Sequence, residues 1–218
     1  MIRLLLAKDD TNVNKMDTEG WSPLYLACFY GFLSVVELLL TADGIDVNQA
    51  NANDGYTPLY IVCCKGHVPI VELLLAASSI VVNQADTTDG ATPLSIACRN
   101  GHAPVVELLL AASDVDVNQT RTDTEVTPLW MACQNGHAPV VELLLASSGI
   151  DVNQHDKQNI TPLNKASDKG HVEVVRLLLQ QPNIDLNKKD DWNDSPLGGA
   201  RKKNHTEIVQ LLVNAGAQ

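Results

Sequence analysis

Residues 89 to 119, DGATPLSIACRNGHAPVVELLLAASDVDVNQ, decide the fold, because their pattern returns along the chain at a fixed interval. The triplets Ser22-Pro23-Leu24, Thr57-Pro58-Leu59, Thr92-Pro93-Leu94, Thr127-Pro128-Leu129, Thr161-Pro162-Leu163 and Ser195-Pro196-Leu197 follow one another at 35, 35, 35, 34 and 34 residues. Behind each come a small-residue segment, a Gly-His or near equivalent, a leucine-rich run and a Val-Asn or Leu-Asn pair. The chain reads as one array spanning 1–218: a half unit at 1–15, then units at 16–49, 50–84, 85–119, 120–154, 155–188 and 189–218.

One unit can be built from local rules. The Ser or Thr hydroxyl before proline caps a helix whose first turn accepts Pro, since that position needs no amide donor. Leu24, Ala27 and Cys28 then share one face of a short helix. Gly31, Gly66, Gly101, Gly136 and Gly170 supply the left-handed residue that closes it, and Asn204 takes that place in the last unit. A second helix follows; Val35, Val36, Leu38, Leu39 and Leu40 leave only Glu37 polar, so it must be covered on several sides. Both helices are shorter than the roughly 12 to 15 residues at which an isolated helix becomes marginal, so units must stack on neighbours. The expected fold class is an all-α repeat solenoid, elongated and curved. Segments such as Asn48 to Thr57 read as hairpin-like turns, with Asn14, Asn48, Asn83, Asn118, Asn153 and Asn187 tying down turn backbone through local bonds.

These motifs resemble the ankyrin repeat family over essentially the whole chain, in a 34–35-residue variant of the repeat. The resemblance implies a non-catalytic protein-protein interaction module, a scaffold whose first helices and turn tips form a concave, partner-gripping face. The family's histidine after Thr-Pro-Leu is replaced here by Tyr25, Tyr60, Ser95, Trp130, Asn164 and Gly198, which removes the inter-unit bonds that histidine makes. Glu125, Asn159 and Asn193 stand where Gly55 and Gly90 stand in their turns, so differently shaped turns are expected there. Met1 to Leu6 read as a second helix with no first helix before it: a cut from a longer chain, or an uncapped face open to self-association of an otherwise monomeric protein. The Leu40 to Asn48 spacing resembles the family's asparagine hydroxylation sequence, although a turn role explains Asn48 without it.

Composition bounds the remaining classes. Hydrophobic residues at 45% and charged ones at 19% suit a packed domain. The early charge and short apolar run of MIRLLLAKDD do not read as a signal peptide, and no run is long enough to span a membrane. Five cysteines without a secretory leader point to a reducing, intracellular and cytoplasmic setting. A net charge of −11 disfavours nucleic acid. Cys63 with His67, Cys98 with His102 and Cys133 with His137 are spaced as a zinc or thiol-base pair could be. Phe32 breaks that pattern in one unit and Ser167 in another, so they read as frame; no metal, cofactor or catalytic residue is expected, and the protein is not expected to be an enzyme.

The informative residues are those that break the repeat. Repeated core positions use Leu, Val and Ala, so aromatics are not expected to be needed for packing. Seven of the nine aromatics fall on four columns running up the stack, on the first helix or just before Thr-Pro-Leu. Trp21, Tyr25, Phe29, Tyr30, Tyr56 and Tyr60 are the expected anchors for a protein partner, Trp130 an outlying one, with Lys65, Arg99 and Asn100 beside them. The columns grade from aromatic to basic, ending in Lys165, Lys169, Lys202 and Lys203. Two other readings stand: Tyr25 and Tyr60 could stack on each other, and the near-identical ACRNGHAPVVELLL and ACQNGHAPVVELLL would suit a structural, consensus-like array or fragment with no partner of its own.

Overall fold

The computed structural model describes residues 12–218, and the second helix expected at Met1–Leu6, in the half unit at 1–15, lies outside them. The described residues form twelve helices and no strand. The first helices of the six units are α1 (Pro23–Tyr30), α3 (Pro58–Lys65), α5 (Pro93–Asn100), α7 (Pro128–Asn135), α9 (Pro162–Lys169) and α11 (Pro196–Lys202). The second helices are α2 (Leu33–Leu40), α4 (Val68–Leu75), α6 (Ala103–Leu110), α8 (Ala138–Leu145), α10 (Val172–Leu178) and α12 (Thr206–Asn214). First helices pack on first helices, second on second, and each pair on itself, which makes a repeat solenoid. None of the helices is long and apolar enough to cross a membrane.

The helix ends follow the residues that were expected to set them. Ser22 accepts from the Tyr25 amide at 3.2 Å and Thr57 from Tyr60 at 3.0 Å. In α5 the bond is reciprocated, since Ser95 Oγ accepts from the Thr92 amide at 2.8 Å. The glycine after each of the first five first helices is left-handed, and Asn204 adopts φ 60° in its place. The middle leucines Leu39, Leu74, Leu109, Leu144 and Leu178 are buried, together with Cys28, Cys63, Cys98 and Cys133.

Ser167 occupies that cysteine position in α9, and its buried hydroxyl has no partner among the described residues. A buried hydroxyl without a bond is costly, so Ser167→Cys is expected to raise stability by about 1 kcal/mol, read as a higher denaturant midpoint. An unchanged or lower midpoint would mean that the hydroxyl is satisfied.

The column of asparagines acts over longer range than expected. Asn118 donates to the Gly149 carbonyl at 2.7 Å and accepts from the Asp151 amide at 3.0 Å, a unit further on. Asn14, Asn48, Asn83 and Asn153 make the same two bonds to their next units. They staple neighbours; the bonds are not local.

The turns with Glu125, Asn159 and Asn193 meet the expectation of a different shape only in part. These residues take φ 62°, 60° and 65°, the left-handed conformation of Gly55 and Gly90. The Glu125 turn closes as the Gly55 turn does, whereas the Asn159 and Asn193 turns are one residue shorter and close like that of Gly20, and in all three the side chain bears the strain. Asn tolerates this best; Glu does not. Glu125→Gly is expected to stabilise by about 0.5–1 kcal/mol, the left-handed cost less the extra freedom of an unfolded glycine. Equal unfolding free energies would show that position 125 is unstrained.

Candidate binding surface on the first helices and turn tips

Each turn is closed by a backbone bond, and five of the six by one accepting side chain as well. Asp17, Asn51, Asp86, Asp156 and Asp190 accept from amides two to five residues on. Four N–H and O–H donors converge on one Asp86 oxygen. Burial works against ionising Asp86, but those donors outweigh it and hold the carboxyl below its ordinary range. These caps recur with the unit spacing, so the sequence carries a signal for them that the triplet spacing alone does not show. Arg121 breaks the column: it cannot accept, and pairs instead with Asp89 and Asp123.

Four of the six histidines are inter-unit fasteners. His102 Nε2 lies 3.1 Å from the Cys64 carbonyl, and His137, His171 and His205 lie 3.0 Å from those of Arg99, Gln134 and Asp168. Each of these imidazoles bonds a backbone carbonyl of the previous unit, and for His102 and His137 that partner is not the cysteine four residues before, Cys98 or Cys133. Burial pushes the Cys28 thiol up to about 12 and raises Cys98 and Cys133 as well, the opposite of an activated nucleophile. Among the described residues no group of three or more His, Cys, Asp or Glu is arranged to hold a metal ion.

The expectation that aromatics are not needed for packing fails for three of them. Tyr25 is 2% exposed, and Tyr60 and Trp130 are each 6% exposed. Ser95 and Asn164 in the same column are buried too, so the column is an internal spine. It also makes the inter-unit bonds that the missing histidine suggested were lost: Trp130 Nε1 donates to the Ile160 carbonyl at 3.0 Å, and Asn164 donates to Lys188 at 3.1 Å. Burial, with Asp54 adding, pushes the Tyr25 hydroxyl up to about 12. Tyr25 and Tyr60 do not stack on each other. Tyr60 lies on Tyr56 at 4.4 Å and 3° between planes, whereas Tyr25 packs on Trp21 and Phe29.

What reaches the surface falls into two zones. In the first unit Trp21 stacks on Phe29 at 5.8 Å, Phe29 meets Tyr30 edge-on at 5.1 Å, and Tyr30 stacks on Phe32. Tyr30 is 58% exposed and Phe32 56%; Lys65 Nζ sits 4.6 Å over the Phe29 ring. Phe32 was not expected here, although a phenylalanine in a histidine column was a signal. The second zone is a groove of about 700 Å³ lined by Arg99, Arg121, Trp130, Ile160, Lys165 and Trp192 among others. A second hollow of about 450 Å³ continues it towards α11, sharing Ile160, Lys165 and Trp192. Val126, Trp130 and Met131 form a small core of their own beneath the groove, with Ile160 against it. Lys165 Nζ lies 4.9 Å over the Trp130 ring; burial, then Lys169, depress its ammonium, partly offset by Asp168 and Asp156. Asn100 lines the rim with its amide committed to the Cys64 carbonyl at 2.9 Å. Trp192, 63% exposed at a turn tip, was missed because it lies outside the columns.

No curated protein matches the chain. A solved structure of an ankyrin repeat domain from Acinetobacter baumannii AYE is similar over 90% of this chain and 98% of its own, with TM-score 0.80 and 24% identity, which shows a shared fold. Residues 1–51, 44–121 and 114–190 each match the family model described as ankyrin repeats in three copies. Such repeats are generally interaction modules and typically non-catalytic. With matching units over most of its length, the chain belongs to the ankyrin repeat family.

Proposed function

We propose that the chain is a non-catalytic protein-binding module that holds a protein partner against its concave face, the first helices and turn tips. The observation that carries this reading is the exposed aromatic cluster of the first unit, where Tyr30 and Phe32 stand more than half in solvent beside Phe29 and Trp21. Core packing does not account for side chains left that exposed, and aromatics are the side chains most enriched among binding hot spots. Stacked short helices also present such a surface rigidly, which limits the entropy lost on binding. Tyr25 and Tyr60 support the surface from beneath, Lys65 lies over the Phe29 ring, Trp130 floors the groove, and Arg99 and Asn100 form its rim. The five thiols support a reducing, cytoplasmic location.

The near-identity of residues 97–110 and 132–145 favours a second reading, a purely structural array with no partner of its own. One experiment separates the two. Tyr30→Ser with Phe32→Ser alters only exposed side chains, so the helical spectrum should be unchanged. Capture of a partner in affinity purification from the source organism should weaken by at least about tenfold, since hot-spot aromatics contribute about 2 kcal/mol or more each. Capture by the double variant equal to that by the parent chain would refute the proposal.

A further inference from the structure

Charge is sorted between the two helix layers in a way the net charge of −11 conceals. The described first helices carry Lys65, Arg99, Lys165, Lys169, Arg201 and Lys202 against the single carboxylate Asp168. The second helices carry Glu37, Glu72, Glu107, Glu142, Glu173 and Glu207 against the single cation Arg176. The helix dipole favours cations in a last turn, by about 0.3–1 kcal/mol each, and several of the first-helix cations sit there. The second helices are of similar length and have the same dipole, yet only α10 carries a basic residue in its last turn. The dipole therefore does not explain the sorting. Nor does it explain Lys165, which lies in the body of α9 at the place that α3, α5 and α7 fill with the buried Ile61, Ile96 and Met131.

Several charges lining the groove and the hollow beside it already have partners. Arg121 is held by Asp89 and Asp123, Lys202 pairs with Asp194 at 2.6 Å, and Asp156 accepts from the Gln158 and Ile160 amides. Arg99 and Lys165 have no ion pair among the described residues. Lys165 is moreover a half-buried ammonium whose burial, with Lys169 adding, is only partly offset by Asp168 and Asp156. Apolar surface lies next to both cations, on the Trp130 face, Ile160 and the exposed Trp192.

Resting on the protein-binding reading, we infer that the partner segment seated over α5 to α11 is an extended acidic peptide. Its carboxylates meet Arg99 and Lys165, and its apolar side chains lie against Trp192 and Ile160. Neighbouring helix axes lie about 8–10 Å apart and an extended chain advances about 3.3 Å per residue, so the three steps from α5 to α11 take about nine residues. Spaced carboxylates suit two well-separated cations, Arg99 and Lys165, among acidic turn tips. A polyphosphate strand, charged at every nucleotide, would meet Asp123, Asp190 and Asp191 on the same side.

The test is selection of a random dodecapeptide display library on the full chain. The recovered peptides should be enriched in Asp and Glu, and should bind Arg99→Gln with Lys165→Met at least about tenfold more weakly. Both substitutions install the residue that α7 already carries at that place, Gln134 and Met131, so the fold is retained. Peptides without acidic bias, acidic peptides indifferent to the double variant, or displacement by single-stranded RNA at equal concentration would each overturn the inference. None of these outcomes touches the protein-binding reading, which falls only if the Tyr30 and Phe32 variant captures its partner unchanged. Failure to recover any peptide overturns the acidic-peptide inference alone.

Discussion

Gly136→Ala is expected to destabilise the array by about 3 kcal/mol, whereas Gly149→Ala, at a similarly left-handed position, should lose only about 1 kcal/mol. Both glycines have positive φ, 74° and 78°, so an alanine carries the same backbone strain at either site. They differ in what a side chain would meet. A Cβ at Gly149 has nothing within 4 Å, but one at Gly136 would lie 2.5 Å from His171 Nδ1 and 2.7 Å from its Cε1. The imidazole cannot swing clear without losing its bond to the Gln134 carbonyl at 3.0 Å, which joins the unit of α9 and α10 to the one before. The excess over Gly149→Ala is thus a lost hydrogen bond plus a displaced ring, about 2 kcal/mol together. A double-mutant cycle checks the cause: with His171→Ala already present, Gly136→Ala should drop to about the 1 kcal/mol of backbone strain. Equal losses at 136 and 149 by guanidinium unfolding would show that the histidine yields freely.

The parts of the fold that were legible in the sequence are those set within a single turn of chain. A hydroxyl before proline, a glycine after a short apolar helix and Asn204 in place of that glycine each act through their own backbone, so spacing alone identifies them. Asn118 was readable as a turn residue but not as a staple, because its partners at Gly149 and Asp151 depend on how units stack. The turn aspartates were legible in principle, as a recurring acceptor column interrupted at Arg121. The binding surface was legible only in outline. Tyr25, Phe29 and Tyr30 are alike in a linear pattern, yet the first is buried, the second half-buried and the third exposed, because one helical turn carries them from the interior to solvent. Trp192 lay outside any column, and an irregular turn tip gives no periodicity to read.

Trp130→Ala is expected to cost about 3 kcal/mol or more of folding free energy, an effect on structure even if the partner also touches this residue. The ring is 6% exposed and, with Val126 and Met131, makes a cluster separate from the main core. Its Nε1 bond to the Ile160 carbonyl couples the unit of α7 to the following turn, so truncation opens a cavity and orphans an acceptor together. Trp130→Phe keeps most of the volume and loses the bond, and should cost about 1 kcal/mol. Lys165, held over the ring at 4.9 Å, would lose its aromatic floor in the alanine variant and keep one in the phenylalanine variant. Unfolding curves for the two variants beside dissociation constants for a selected peptide then separate packing from recognition. If the groove binds through Lys165 and Arg99, Trp130→Phe should bind within about threefold of the parent chain while Lys165→Met does not. An alanine variant as stable as the parent would show that Trp130 contributes little to the packing beneath the groove.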